Sequence, residues 1–263
     1  DDVDGVDWLA MSREALDRAR AFLESRSHPV FEDLLDLVDD LAREVRDLIR
    51  RMSRANPTWG SPRLVGELRK TFPDDGIVAE ETADISDALK AGRCWYVDPL
   101  DGTKEFVNRN GEFTVNIALI ENHRPVLGVV HVPVQGKTYV GCKGLGAQRR
   151  ERDREPVSIR VANACATPAR IVGSRSHRGA SLDRFLENVG DHDMVPMGSS
   201  LKFCVVAEGA ADVYPRLGPT SEWDTAAAHA IVLESGKKVN KYGTNQQLTY
   251  NKENLLNPWF VVE

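Results

Sequence analysis

Trp95-Tyr96-Val97-Asp98-Pro99-Leu100-Asp101-Gly102-Thr103 is the stretch on which the reading of this 263-residue chain turns. Its three leading apolar residues read as the end of a buried strand. Two carboxylates follow, three apart across a Pro-containing turn, and then a Gly-Thr step. A strand sends successive side chains to opposite faces, so a turn after Asp98 is what would let Asp98 and Asp101 converge. Convergent carboxylates repel unless a cation sits between them. A hard divalent ion such as Mg²⁺ takes oxygen ligands and keeps sites open for water and phosphate. The Leu100 carbonyl lies between the two acids as a further oxygen donor. Gly102 and Thr103 offer backbone N–H groups, and Thr103 a hydroxyl, to an anion. Asp, Pro and Gly are also the usual formers of surface turns, so the stretch alone leaves both readings open.

Its company narrows the choice. Upstream, Ile77-Val78-Ala79-Glu80-Glu81-Thr82 is a short apolar run ending in two acids. Downstream, Glu222-Trp223-Asp224-Thr225-Ala226-Ala227-Ala228-His229 sets an acid ahead of an Ala-rich helical run. Asp224 stands where an N-cap belongs, a role worth about 1 kcal/mol. Capping does not exclude ligation, because a cap at a helix N-terminus already points into a site. Glu80, Asp98, Asp101 and Asp224 together make four carboxylates, enough for two metal ions.

The pattern Glu-Glu, then Asp-Pro-Leu-Asp-Gly-Thr, then Trp-Asp resembles the inositol monophosphatase superfamily of Mg²⁺-dependent, lithium-sensitive phosphatases. Lys104-Glu105-Phe106, Arg109-Asn110-Gly111-Glu112-Phe113-Thr114-Val115-Asn116, Ser174-Arg175-Ser176-His177 and Gly198-Ser199-Ser200-Leu201-Lys202-Phe203 resemble its bacterial 3′(2′),5′-bisphosphate nucleotidase branch, of the CysQ type. The likeness runs from about Ile77 to Glu263.

The resemblance implies an α/β fold, the layered α-β-α-β-α sandwich of the inositol monophosphatase and sugar phosphatase type. It implies removal of the 3′-phosphate from adenosine 3′,5′-bisphosphate to give AMP and phosphate, in the recycling of a by-product of sulfate assimilation. Glu80, Asp98, the Leu100 carbonyl, Asp101 and Asp224 become ligands of two Mg²⁺ ions. Glu80 with Thr103, beside Asp98, would orient the attacking water for in-line displacement, with no covalent phosphoenzyme. Gly102, Thr103, Ser174, His177, Gly198, Lys202 and Asp224 become substrate contacts. Lys202 is a point charge suited to a phosphate, and Gly198 lets backbone approach the ligand. Glu105, Arg109 and Glu112 would shape the pocket lip or form a surface ion-pair net. The alternatives are an inositol or sugar phosphatase of the same superfamily, and a catalytically impaired chimera.

The chimera enters because residues 1–76 depart from the pattern. Family members carry a Thr-x-Ala-Asp element on an early helix whose Asp helps hold a further metal ion. No Thr-x-x-Asp equivalent stands in 50–70, so a third ion is expected to bind weakly or not at all. Arg51 to Arg63 instead resembles a short piece of insertion-sequence transposases. Residues 1–76 hold 11 Arg and 1 Lys against 17 acids, and so carry −5 of the total charge of −6. That balance argues against a nucleic-acid-binding segment. Apolar spacing predicts amphipathic helices over Trp8–Leu23 and Phe31–Ile49 and a short third from Arg63 to Phe72, packed on a core spanning 77–263.

From Ile77 strand and helix signals alternate. Cys94–Val97, Thr114–Ile120, Pro125–Val132, Thr138–Cys142, Val157–Val161, Arg170–Val172, Asp212–Pro215 and Trp259–Val262 read as strands, with a turn over Glu121–Arg124. Ala180–Val189, Leu201–Glu208 and Thr225–Ser235 read as helices, the last with Gly236 as its C′ residue. The negative charge would repel a phosphorylated substrate unless bound cations reverse it locally. Cys94, Cys142, Cys165 and Cys204 have no paired spacing, which suggests buried free thiols in a reducing compartment. The chain lacks a run of ~18 apolar residues and a basic n-region, so neither a membrane span nor a signal peptide is expected. A cytoplasmic protein follows, peripheral to the inner membrane at most. It would bind a small phosphorylated nucleotide and no nucleic acid, and a homodimer is compatible with all of this.

Overall fold

The computed structural model describes residues 65–66, 68–70, 72–81, 85–151, 154–161, 165–174 and 179–263. The two longer helices expected upstream lie outside the described residues. Helical backbone at 65–66 and 68–70 agrees with the short third helix.

Seven strands form one sheet in chain order: β1 (Gly76–Ala79), β2 (Arg93–Asp101), β3 (Thr114–Glu121), β4 (Arg124–Val132), β5 (Lys137–Cys142), β6 (Gly146–Glu151) and β7 (Val157–Ile159). β1 and β2 are parallel, with helix α1 (Ser86–Lys90) between them. From β2 onward each neighbour is antiparallel. Glu121 pairs with Arg124, so only Asn122 and His123 make that turn. Both have positive φ, 49° and 63°, the two-residue hairpin whose twist matches the flanking strands.

The strands read as unbroken apolar runs because both faces of the sheet are covered. Trp95, Val97, Ile117, Leu119, Val129 and Val140 pack with Leu68 and Phe72 on one side. Phe72 lies 4.9 Å from Trp95 between ring centroids. Tyr96, Ala118, Val130 and Tyr139 face the other way, into the larger core. There they meet α4 (Leu201–Ala207) and α5 (Glu222–Ser235), the buried helices beneath the second group of strands. That group comprises the parallel pair β8 (Ala169–Ser174) and β9 (His192–Met197), with α3 (Ala180–Val189) between them. An Ile171–Val213 bridge joins the pair to β10 (Tyr214–Arg216), β12 (Phe260–Val262) and β11 (Val239–Lys241). A short helix α2 (Thr103–Val107) follows β2 directly. Three cysteines are buried, but Cys165 is exposed, which corrects the expectation for that residue; all four are free thiols. Among the described residues no helix is long and apolar enough to cross a membrane.

His229, fully buried on α5, sits with Nδ1 2.8 Å from the Tyr250 hydroxyl. Burial first, then the Arg124 charge, push its pKa down to about 3. The unfolded chain returns it to about 6.5 and so takes up the proton first. The contribution to stability is full above pH 6.5 and is lost as pH falls toward 3, ~4–5 kcal/mol in all. His229→Gln keeps a partner for Tyr250 and is expected to flatten the fall of unfolding free energy between pH 6.5 and 4 in denaturant titrations. Equal slopes for the two proteins would remove His229 from the account.

Candidate active site

The acids of the opening stretch meet through an irregularity in β2. Asp98 pairs with Asn116 and Asp101 with Thr114, so three steps along β2 match two along β3. In an unbroken strand Asp98 and Asp101 would face opposite sides of the sheet. One inserted residue returns them to the same side. The turn expected after Asp98 is therefore corrected to a bulge within a continuous strand. Pro99 cannot donate to a ladder, which favours the interruption at this point. Leu100 bends its N–H back to Asp98 Oδ1 at 2.9 Å.

The third acid arrives on α5. Ser221 is the N-cap and the helix opens at Glu222, three residues before the Ala-rich run suggests. Asp224 is thus the third helical residue rather than the cap. Its Oδ2 accepts the Ser221 N–H at 2.8 Å, one half of a capping box. One carboxylate oxygen each from Asp98, Asp101 and Asp224 lies within 4.8 Å of the other two. Glu80 stands outside that trio but beside it. Its N–H reaches the Val97 carbonyl at 3.3 Å and its carboxyl shares a hydrogen bond with Asp98.

Asp101 is held by three bonds from two elements, β3 and the turn into α4. Its Oδ2 accepts the Ser200 N–H at 2.5 Å, the Thr114 hydroxyl at 3.1 Å and the Asn116 amide at 3.2 Å. Asn116 Nδ2 also lies 3.0 Å from Ser200 Oγ, which in turn donates to the Asp224 carbonyl at 2.6 Å. Ser199, at φ 46°, makes the tight turn into α4 and donates its hydroxyl to the Glu112 carbonyl at 2.5 Å. Sequence reasoning missed Thr114, Asn116, Ser199 and Ser200 as site residues, although all four stand inside motifs it quoted.

The charges at the site call for a counter-ion. Asp98 is 2% exposed, and burial, then Asp101 and Glu80, hold its pKa well above the ordinary carboxylate value. Burial, then Asp101, push Asp224 up to about 7. Glu80 is largely exposed as a residue, yet desolvation at its carboxyl end, then Glu81 and Asp101, raise it as well. The three bonds to Asp101 and the one from Ser221 to Asp224 all use Oδ2, leaving an Oδ1 on each as an oxygen ligand for a cation. Clustered hard oxygens that repel one another suit a divalent cation of the Mg²⁺ kind, so the residues fit such an ion.

Asp101 and Asp224 open onto a cavity of about 240 Å³. Of the expected contacts, Gly102, Thr103, Ser174 and Lys202 line it. Gly102 takes φ 91° at the start of α2, a conformation open to glycine. Lys202 is only 7% exposed and sits 5.7 Å from the Tyr214 ring centroid. Burial lowers its pKa to about 8, against the pull of Asp101. Arg216 lines the cavity too. It stands in none of the motifs quoted from the sequence. Gly198 is not among the lining residues. What its missing Cβ makes room for is the Glu105 side chain, while its N–H goes to Glu112 Oε2 at 2.7 Å. Glu105 lines the cavity and Glu112 fastens the turn beside it, closer to a lip than to a surface ion-pair net. His177 lies outside the described residues.

Comparison with known proteins agrees with this geometry. The sequence model of the inositol monophosphatase family matches residues 61–258, opening ahead of the Ile77 from which the resemblance was expected. The 3′(2′),5′-bisphosphate nucleotidase CysQ of Salmonella typhimurium is 46% identical over 197 residues, 74% of this chain and 78% of that protein. The Escherichia coli K12 protein of the same name is 45% identical over 201 residues, 76% and 80% of the two chains. The crystal structure of CysQ from Bacteroides thetaiotaomicron, a bacterial member of the inositol monophosphatase family, superposes with a TM-score of 0.71 at 34% identity, covering 97% of this chain and 94% of that one. An inositol monophosphatase from Anabaena shares the fold, with a TM-score of 0.71 at 24% identity, over 88% and 90%. This chain belongs to the inositol monophosphatase family.

Proposed function

We propose that this protein is a 3′(2′),5′-bisphosphate nucleotidase that hydrolyses the 3′-phosphate of adenosine 3′,5′-bisphosphate to AMP and phosphate. The observation that carries the reading is the meeting of Asp98, Asp101 and Asp224 within 4.8 Å, two of them lining a cavity that Lys202 and Arg216 also line. Acids for a cation and cations for a phosphate share one opening. The relatives named 3′(2′),5′-bisphosphate nucleotidase support the nucleotide substrate, and the place in sulfur metabolism is what the resemblance implies. We place the protein in the cytoplasm, with 77–263 as the phosphatase core in an α-β-α-β-α arrangement and 1–76 as a helical segment against it.

The chemistry supplied by bound Mg²⁺ is Lewis-acid polarisation of the phosphoryl group and easier ionisation of water. Glu80, Asp98, Asp101, Asp224 and the Leu100 carbonyl would hold two such ions, with a weak third at most. Glu80 and Thr103 orient the attacking water, and Glu80 takes its proton. Gly102 and Thr103 present N–H groups to the phosphate, and Ser174, His177 and Lys202 hold the remainder of the nucleotide. Arg216 adds a planar cation that can take two phosphate oxygens at once.

Phosphate release from adenosine 3′,5′-bisphosphate should exceed that from inositol monophosphate by at least ~100-fold in kcat/KM, a gap of about 3 kcal/mol in transition-state binding. EDTA should abolish it and Mg²⁺ restore it. A preference for the inositol ester would replace this reading with that of an inositol phosphatase.

A further inference from the structure

The segment from Leu248 to Asn257 returns to the helix that carries Asp224 and clasps its first turn. The Glu222 N–H donates to the Leu255 carbonyl at 2.9 Å, and Ser221 forms an antiparallel bridge with Leu256. The Asn257 N–H donates to the Thr220 carbonyl at 2.8 Å. Glu222, wholly buried, accepts the Asn251 N–H at 2.7 Å and pairs with the Lys252 ammonium.

At the centre of the clasp is the Asn257 amide. Its Nδ2 lies 2.8 Å from the Ser221 carbonyl, 3.0 Å from Thr225 Oγ1 and 3.4 Å from Thr220 Oγ1. Two hydrogens are available, and the two short contacts take them. The residue is 8% exposed, so these bonds form away from water, where each is stronger and its loss costs more. Its partners flank Asp224 on both sides. Ser221 supplies the N–H that holds Asp224 Oδ2, and Thr220 and Thr225 are walls of the cavity. The Tyr250 hydroxyl, 3.3 Å from Thr225 Oγ1, braces the same point from behind.

We propose that Asn257 is a positioning residue for the acidic site. Its amide fixes residues 220–225 so that the Asp224 carboxylate stays turned toward Asp98 and Asp101, and it thereby sets the affinity for the divalent cation. The proposal rests on reading those three acids as a metal site. Without the amide, the Ser221 carbonyl and the Thr225 hydroxyl lose their shared partner and the helix start gains freedom. Loss of a group that orients a metal ligand typically weakens metal binding 10–100-fold.

The test uses the full chain and Mn²⁺ alone, with free Mn²⁺ read by electron paramagnetic resonance well below the melting temperature. Asn257→Ala should bind Mn²⁺ about tenfold more weakly than wild type, and the rate at saturating Mg²⁺ should recover more than the rate at limiting Mg²⁺. Thr225→Val removes one partner at constant volume, retains the Ser221 bond and should weaken binding about threefold; it decides the matter should the Ala variant fail to fold. Leu256→Ala, in the same segment but 54% exposed, should leave Mn²⁺ affinity unchanged. A wild-type protein that binds no Mn²⁺ defeats the metal-site reading itself. Wild-type binding with folded Asn257 or Thr225 variants of equal affinity, whatever their melting temperatures, overturns the positioning role alone.

Discussion

Asp98→Asn is expected to lower turnover by roughly 10³-fold and, in the same protein stripped of metal, to raise the melting temperature. The first effect follows from the share of transition-state stabilisation that a bound cation supplies, about 4 kcal/mol, which is a factor of about a thousand. The second follows from burial. Asp98 is 2% exposed, and the charges of Asp101, Glu80 and Asp224 surround it. Its folded-state pKa lies well above the unfolded value, so the fold favours the protonated form. Such a group contributes most below the unfolded pKa and loses that contribution as pH rises through the folded one. At pH 8 in EDTA, well above the unfolded value, the native state therefore bears the cost of either a repelled, desolvated charge or an added proton. Asparagine removes the charge, keeps the shape and can still accept the Leu100 N–H. Relief of ~2 kcal/mol would raise the melting temperature by about 4–8 °C. Calorimetry at pH 8 and pH 5 is the check, since the gain should shrink as pH falls toward the unfolded carboxylate value. A variant that is inactive and also melts lower in EDTA at pH 8 would make Asp98 a structural residue.

The same acids show how far the chain could be read before it was seen folded. Strands β2 to β5 were legible because burial on both faces makes their sequences nearly continuous apolar runs, and α3 was found with its bounds, Ala180–Val189. The strand β6, Gly146–Glu151, was not, because Arg149 and Glu151 there make ion pairs with each other and with Glu208 and Lys137 instead of presenting apolar side chains. β9 was hidden for a similar reason: His192, Asp193 and Pro196 do not advertise a strand, and its pairing with β8 supplies what its composition lacks. At the site, the residue types and their spacing pointed to Asp98, Asp101 and Asp224. The sequence did not disclose what aims them. The bulge between Asp98 and Asp101 depends on the register with β3, and the hold on Asp101 depends on Ser200 arriving from a distant turn. Local propensity carries no information about either.

The second large effect should come from a residue that no motif marks. Across the main sheet, Ala118, Gly128, Gly141 and Ala147 stand opposite one another on four successive strands. This row of small side chains forms a trough, and α5 lies in it with Ala227, Ala230 and Ile231 against the floor. A Cβ on Gly128 would overlap the Ala227 carbonyl oxygen and stand 2.8 Å from Ala230 Cβ; one on Gly141 would stand 2.6 Å from Ile231 Cα. These obstacles are mostly backbone and cannot rotate away, so the helix must lift. Overpacking of that kind costs about 3 kcal/mol or more when the backbone has to move. Gly128→Ala should therefore shift the denaturant midpoint strongly. Because α5 carries Asp224 in its first turn, it should also weaken Mn²⁺ binding by at least ~10-fold in the fraction that remains folded. Gly92→Ala, where an added Cβ meets open space, is the control and should change neither. If Gly128→Ala unfolds within 1 kcal/mol of wild type and binds Mn²⁺ equally well, α5 is not seated by that trough. Some other contact would then have to fix the distance between Asp224 and the two acids of β2.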